Sequence, residues 1–154
     1  MFKKILVALD GSEPAEKALD YALDLAEKYS SELVLLSVLH VDPRAYAPLV
    51  PTPEGELPIS SVAMETYINN LKSSYENVLS VALDKAKKNK PNLIVSTRLI
   101  EGRPANVIIE ASKEENVDLI VIGSRGLGGI REFLLGSVSD RVADEAQCPV
   151  LIVK

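Results

Sequence analysis

Hydrophobic residues fall along this chain in two alternating textures. Short, nearly unbroken runs of Val, Ile and Leu recur at Ile5 to Leu9, Leu33 to Leu39, Leu93 to Ile100, Leu119 to Ile122 and Val150 to Val153. Most lack the polar alternation of a half-wetted sheet, so they predict strands covered on both faces, as in a parallel sheet. Between the runs the apolar spacing becomes helical. Ala18, Tyr21, Ala22 and Leu25 stand at i, i+3, i+4 and i+7 and predict a sheet-facing stripe, with Lys17, Asp20, Asp24 and Lys28 turned to water. Met64, Ile68, Leu71, Tyr75, Leu79 and Leu83 mark a longer helix, Ala105, Ile108 and Ile109 a third, and Ser139, Val142, Ala143 and Ala146 a fourth. Strands alternating with helices predict an α/β fold: one three-layer domain over residues 1–154 with a five-stranded parallel sheet. Right-handed crossovers leave few doubly wound orders, and of these 3-2-1-4-5 is expected.

Local chemistry marks several boundaries. Ser12 is suited to cap the first helix, with Glu13 and Pro14 in its opening turn, where an acid meets the helix dipole and the missing proline N–H does no harm. Ser137 and Asp140 resemble a capping box at the start of the last helix. Arg103-Pro104 reads as a helix-initiating turn. Residues 41–60 differ from the rest, because Pro43, Pro48, Pro51, Pro53 and Pro58 oppose both regular helix and central strand. This segment is expected to be either a ligand-ordered lid or an ordinary surface excursion.

Composition narrows the partners. The chain has 154 residues, 47% of them hydrophobic, enough for one domain with a substantial core. Its net charge of −5 argues against nucleic acid or an anionic membrane as the main partner. Cys148 is the only cysteine, so no internal disulfide is available, and no apolar run approaches the ~18 residues of a membrane span. Met1-Phe-Lys-Lys is charged like the start of an export signal, but the apolar stretch after it ends at Asp10. A cytoplasmic location is the expectation.

The strand order predicts a site. The chain leaves strand 1 toward one side of the sheet and strand 4 toward the other, opening a crevice at their carboxyl ends. Asp10-Gly11-Ser12 follows strand 1 and Gly123-Ser124-Arg125-Gly126 follows strand 4, so two remote segments should converge there. An apolar strand running into spaced glycines and a new helix start has the geometry of a phosphate site, since glycine lets backbone approach a ligand and helix N-termini offer free N–H groups. Each part also has a plainer reading: Asp10-Gly-Ser as a turn with an N-cap, Gly126, Gly128 and Gly129 as a flexible loop, Ser137 as a cap. Arg125 and Arg131 add cations that suit phosphate by charge.

Other chemistry is sparse. His40 is the only histidine, beside the end of strand 2, and reads as a space-filler near the site. No Ser/His/Asp set, zinc spacing or Walker lysine occurs. A G-x-G-x-x-G search meets Gly126-Leu-Gly128-Gly-Ile-Arg131, which lacks the last glycine and follows strand 4, disfavouring NAD. No carboxylate or glutamine is evident beside the expected phosphate end, so weak catalysis at most is expected. The last strand is apolar throughout and would be hazardous as a bare edge, so pairing with a second copy into a homodimer is expected.

The spacing Gly123-x2-Gly126-x9-Gly136-Ser137 resembles the nucleotide signature of the universal stress protein family, in its ATP-binding branch, and the resemblance extends over nearly the whole chain. It implies an adenine nucleotide alpha hydrolase-like fold and ATP, with Mg2+ held through the phosphates. Asp10 would lie near the ribose or adenine, the backbone around Val38 would face the adenine, Gly123, Ser124 and Gly126 would line the phosphates, and Gly136 with Ser137 would cap the distal ones. The family pattern leaves the roles of Arg125 and Arg131 open. A nucleotide-sensing module in the stress response is the function implied. A slow ATPase or nucleotide-dependent transferase, and an interaction scaffold without nucleotide, are the alternatives.

Overall fold

A computed structural model describes residues 1–42, 61–127 and 135–154 of the chain. Strand β1 (Lys4–Ala8) leads into α1 (Glu13–Tyr29), β2 (Glu32–Leu39), α2 (Ser61–Asn89), β3 (Val95–Glu101), α3 (Pro104–Glu114), β4 (Leu119–Gly123), α4 (Ser137–Glu145) and β5 (Val150–Val153). All pairings are parallel and the order is β3-β2-β1-β4-β5, the doubly wound arrangement expected. Residues 43–60, and residues 128–134 with Gly128, Gly129 and Arg131, lie outside the described residues; the lid and the Arg131 contact fall there.

Two cores follow from alternation along the strands. Ile5, Val7, Leu33, Leu35 and Val121 face α1 and α2, whereas Leu6, Leu36, Ile120 and Ile122 face α3 and α4. Both faces are therefore dry, which is why the strands read as apolar runs without alternation. In register, Val7 lies beside Leu35 on one flank and Val121 on the other, so β1 is the central strand and its carboxyl end is held from both sides.

The helix stripes differ from expectation in detail. On α1 the buried face runs through Ala15, Ala18, Leu19, Ala22, Leu23 and Ala26. Tyr21, expected on that stripe, is 58% exposed. It lies past the stripe's edge, and a helix seated on alanines leaves no room beneath it for a phenol. On α4, Ser139 and Val142 are buried but Ala143 is exposed, because this nine-residue helix meets the core over little more than one turn. The expected Ser137 cap is also corrected. Gly136 occupies the N-cap in extended backbone (φ −74°, ψ 157°), where it has no side chain to cap with, and Ser137 is the first helical residue. Ser12 does cap α1, accepting from Ala15 N–H at 3.4 Å, and Arg103-Pro104 opens α3 as expected. At the sheet edges, Ser96, Thr97 and Arg98 of β3 are exposed, while Val150, Leu151 and Ile152 of β5 are half-buried by the helices beside them.

Candidate functional site

The carboxyl end of β1 is fixed before any side chain is considered. Leu9 N–H donates to Leu36 C=O at 2.8 Å, and the buried Ser37 hydroxyl donates to Leu9 C=O at 2.8 Å. Asp10 follows. Its Oδ1 accepts Ser12 N–H at 2.9 Å, an Asx turn whose middle residue, Gly11, takes φ +83°. Its Oδ2 accepts Leu127 N–H at 3.1 Å, across 117 positions of sequence. Gly126 makes this possible: a Cβ there would lie 2.6 Å from the same oxygen. Ser12 Oγ donates to Arg125 C=O at 3.4 Å, a second tie between the two loops. The turn after β1 and the loop after β4 thus converge as the strand order predicts.

The end of β4 is tied with equal care. A Cβ on Gly123 would stand 2.7 Å from Pro14 C and 2.8 Å from Ala15 N, so this glycine is what lets the first turn of α1 sit on the strand. Ser124 N–H donates to Val153 C=O at 2.6 Å, and its own C=O accepts from Gly136 N–H at 2.7 Å and from Ser139 Oγ at 2.8 Å. Ser124 is buried and lies outside the cavity lining; its backbone holds β5 and the start of α4 in place.

A cavity of about 830 Å³ opens over these strand ends, within the ~300–1,000 Å³ of small-molecule sites. Ala8, Leu36, Val38 and Ile122 from the sheet, with Pro104 and Ile108 from α3, form an apolar wall. Asp10, Arg125, Gly126, Gly136, Ser137 and Asp140 form a polar one, and Gly123 and His40 also line the space. His40 is exposed, with Nδ1 3.2 Å from Gly102 C=O. Seven of the sequence candidates, Asp10, Val38, Gly123, Arg125, Gly126, Gly136 and Ser137, therefore share one cavity, and Ser124 supports it from behind. Both α1 and α4 begin here, and helix N-termini favour anions.

Asp140 and Tyr75 are among the lining residues that the sequence reading assigned elsewhere. Asp140, read only as a capping partner, stands one turn beyond Ser137 on the same helix face, which brings a carboxylate to the end where none was evident. Tyr75, read as core, enters the lining from α2. Burial, and after it the charge of Asp10 and then Tyr67, hold its phenol above the ordinary range, so it stays protonated at neutral pH. The Asp140 signal was present in the i, i+3 spacing. Cys148, away from this cavity, has its thiol pushed up by burial and is a half-buried apolar neighbour of the α3–α4 core. Among the described residues no helix is long and apolar enough to cross a membrane.

The family profile described as the Universal stress protein family matches residues 1–154. The chain is similar to Universal stress protein YxiE of Bacillus subtilis, 38% identical over 154 residues and covering 100% of each chain. It is 34% identical over 156 residues to Universal stress protein MJ0531 of Methanocaldococcus jannaschii, covering 100% of this chain and 83% of that one. Among solved structures, a universal stress protein in complex with cAMP superposes with a TM-score of 0.70 at 25% identity, covering 99% of this chain and 97% of the other.

Proposed function

The chain belongs to the universal stress protein family, and on that premise we propose that it is a nucleotide-sensing module of the stress response whose ligand is an adenine nucleotide. The observation that carries this reading is the division of one cavity into an apolar wall, around Val38 and Ile108, and a polar wall, around Asp10, Gly126 and Gly136. A purine is a largely apolar plate that suits the first wall, and ribose with phosphates suits the second. The related protein that holds cAMP supports the same class of ligand.

The finer proposal is ATP, with adenine beside Val38, ribose at Asp10, and phosphates over Gly126, Gly136 and Ser137 with Arg125 as a counter-charge. Among the described residues no group of three or more His, Cys, Asp or Glu is placed to hold a metal. Mg2+ would arrive on the ligand's phosphates and neutralise their charge, with the Asp140 carboxylate at that end of the cavity placed to face it. Turnover far below ~1 per second is proposed. Asp10 is held at the ribose side by two backbone N–H groups, an arginine does not act as a base at neutral pH, and Asp140, the carboxylate at the phosphate end, is assigned here to the Mg2+ side of the ligand and not to a water. A homodimer through β5 and a cytoplasmic location complete the proposal, the latter consistent with an unpaired Cys148.

Mass measurement of small molecules released from freshly purified, denatured protein is the direct test, followed by calorimetry with ATP, AMP and cAMP. An adenine nucleotide at near-stoichiometric yield, or saturable heat with ATP, is the expected result. Absence of any adenine compound together with no heat up to millimolar ATP would remove the reading and favour a scaffold. Hydrolysis at several turnovers per second, abolished by Gly136→Val, would promote the enzyme alternative instead.

A further inference from the structure

Tyr75 takes no part in the nucleotide reading above, yet it is the residue through which α2 enters the cavity lining. The helix reaches the site because Val78 packs over the β1–α1 turn: a Cβ on Gly11 would lie 3.1 Å from Val78 Cγ2. Tyr75 precedes Val78 by three positions and so shares that helix face, one turn farther out over the strand ends. Its ring is half-buried. Among the described residues its hydroxyl has no protein hydrogen-bond partner, and it is open to the cavity, so it is free to meet a ligand there. In the same cavity the Asp10 carboxylate is held by Ser12 N–H at 2.9 Å and Leu127 N–H at 3.1 Å. One bond to each oxygen fixes its orientation and leaves acceptor capacity on both.

A fixed acceptor and a donor without a partner among the described residues thus border one side of the cavity, between the β1–α1 turn and α2. We infer that Tyr75 is a specificity-determining residue that works with Asp10 on a vicinal diol, one ligand hydroxyl donating to the Asp10 carboxylate and its neighbour accepting from Tyr75 Oη. The inference rests on the nucleotide reading and deepens it, because the diol of an unmodified ribose is the group such a pair selects. Asp10 alone accepts from any hydroxyl. The pair discriminates, since removing either ligand hydroxyl leaves a half-buried donor or a charged acceptor unmatched.

The test is calorimetry of the wild type and Tyr75→Phe with ATP, 2′-deoxy-ATP and 3′-deoxy-ATP, all with Mg2+. Phenylalanine keeps the ring, and circular dichroism checks that the fold is unchanged. The substitution should weaken ATP binding by about threefold to tenfold. With one of the two deoxy analogues, the one lacking the hydroxyl that meets Tyr75, that loss should vanish. Equal weakening for all three ligands would assign Tyr75 to cavity shape and overturn the inference, as would unchanged affinity for all three. A wild type that binds none of the three defeats the nucleotide reading itself, and this inference with it, which separates the two failures.

Discussion

The two ends of the sheet treat charge in opposite ways. At the amino end the chain satisfies its own ions: Lys4 Nζ lies 3.5 Å from Glu32 and 3.4 Å from Glu115, Arg98 also pairs with Glu115, and Asp118 accepts N–H groups from Lys3 at 2.7 Å and Lys4 at 3.0 Å. At the carboxyl end Asp10, Arg125 and Asp140 line a cavity, and among the described residues none of them is in an ion pair. Among the described residues, Asp10 is oriented by backbone N–H groups. The amino end is thus closed by pairs worth little individually in water, whereas the carboxyl end keeps oriented polar groups with capacity to spare. Topology sets the division, because β1 and β4 send the chain apart only at their carboxyl ends.

The largest expected effect asks whether every glycine at the carboxyl end serves the ligand. Gly123→Ala forces a methyl to within 2.7 Å of Pro14 backbone, so it should destabilise the fold by about 1–3 kcal/mol, the range for overpacking. Urea denaturation reads this directly. A wild-type midpoint for this variant would mean that α1 yields easily, and that Gly123 belongs to the ligand side of the division.

Gly126→Val tests the opposite assignment. Its Cβ would meet Asp10 Oδ2 at 2.6 Å, the far end of a side chain, so the carboxylate moves before the backbone does. We expect a loss of ATP affinity of more than ~10-fold, about 1.4 kcal/mol, with a nearly unchanged urea midpoint. Gly136→Val, whose Cβ would approach backbone atoms, Ser124 C=O at 3.2 Å and Arg125 Cα at 3.4 Å, should lower ATP affinity less sharply and also lower the urea midpoint somewhat. Undiminished ATP binding in both variants would remove the phosphates from this loop.

These glycines show what sequence discloses and what it hides. Strand order and the meeting of Asp10 with the Gly123–Gly126 segment were legible, because a strand dry on both faces leaves an unbroken apolar run and crossovers are one-handed. The separate duties of Gly123, Ser124 and Gly126 were not. One spacing motif covers all three, yet Gly123 answers to Pro14 and Ser124 to Val153 and Gly136. Those are tertiary contacts with distant segments, on which local spacing carries no information. Tyr75 was hidden for the same reason: its place on the α2 stripe is a periodicity fact, but its arrival in the cavity that Asp10 lines depends on how Val78 sits on Gly11. Tyr21 erred in the other direction, since helical spacing alone does not say where a stripe's edge falls.

The sheet edges extend the comparison. β3 is solvated by Ser96, Thr97 and Arg98, whereas β5 is apolar and only half-covered. If a second copy pairs along β5 through a two-fold axis, Leu151→Lys should weaken self-association by about tenfold in light scattering. Val153 is unsuitable for this test, because it is 6% exposed and part of the core. A wild type that remains monomeric at high micromolar concentration would leave the β5 edge to solvent and end the proposal.

The smallest effect lies at the amino end and depends on pH. Hydrogen bonds from Lys4 N–H, and then Lys3 N–H, hold the Asp118 carboxyl below the ordinary carboxylate range. Its folded-state pKa is depressed relative to the unfolded value of about 3.9. The stabilisation is therefore complete above that value and is lost as pH falls through the lower, folded value. Asp118→Asn keeps the shape but removes the charge, so the variant should be slightly less stable than the wild type near neutrality, and the gap should close as pH drops below about 4. ATP affinity should be the same in both proteins at neutral pH, since Asp118 lies at the opposite end of the sheet from the cavity. A stability gap that persists unchanged at pH 3 would show that shape, not charge, ties β1 to β4 there. A loss of ATP binding in this variant would show that the two ends are coupled, and the division between a self-satisfied end and a ligand-ready end would fail.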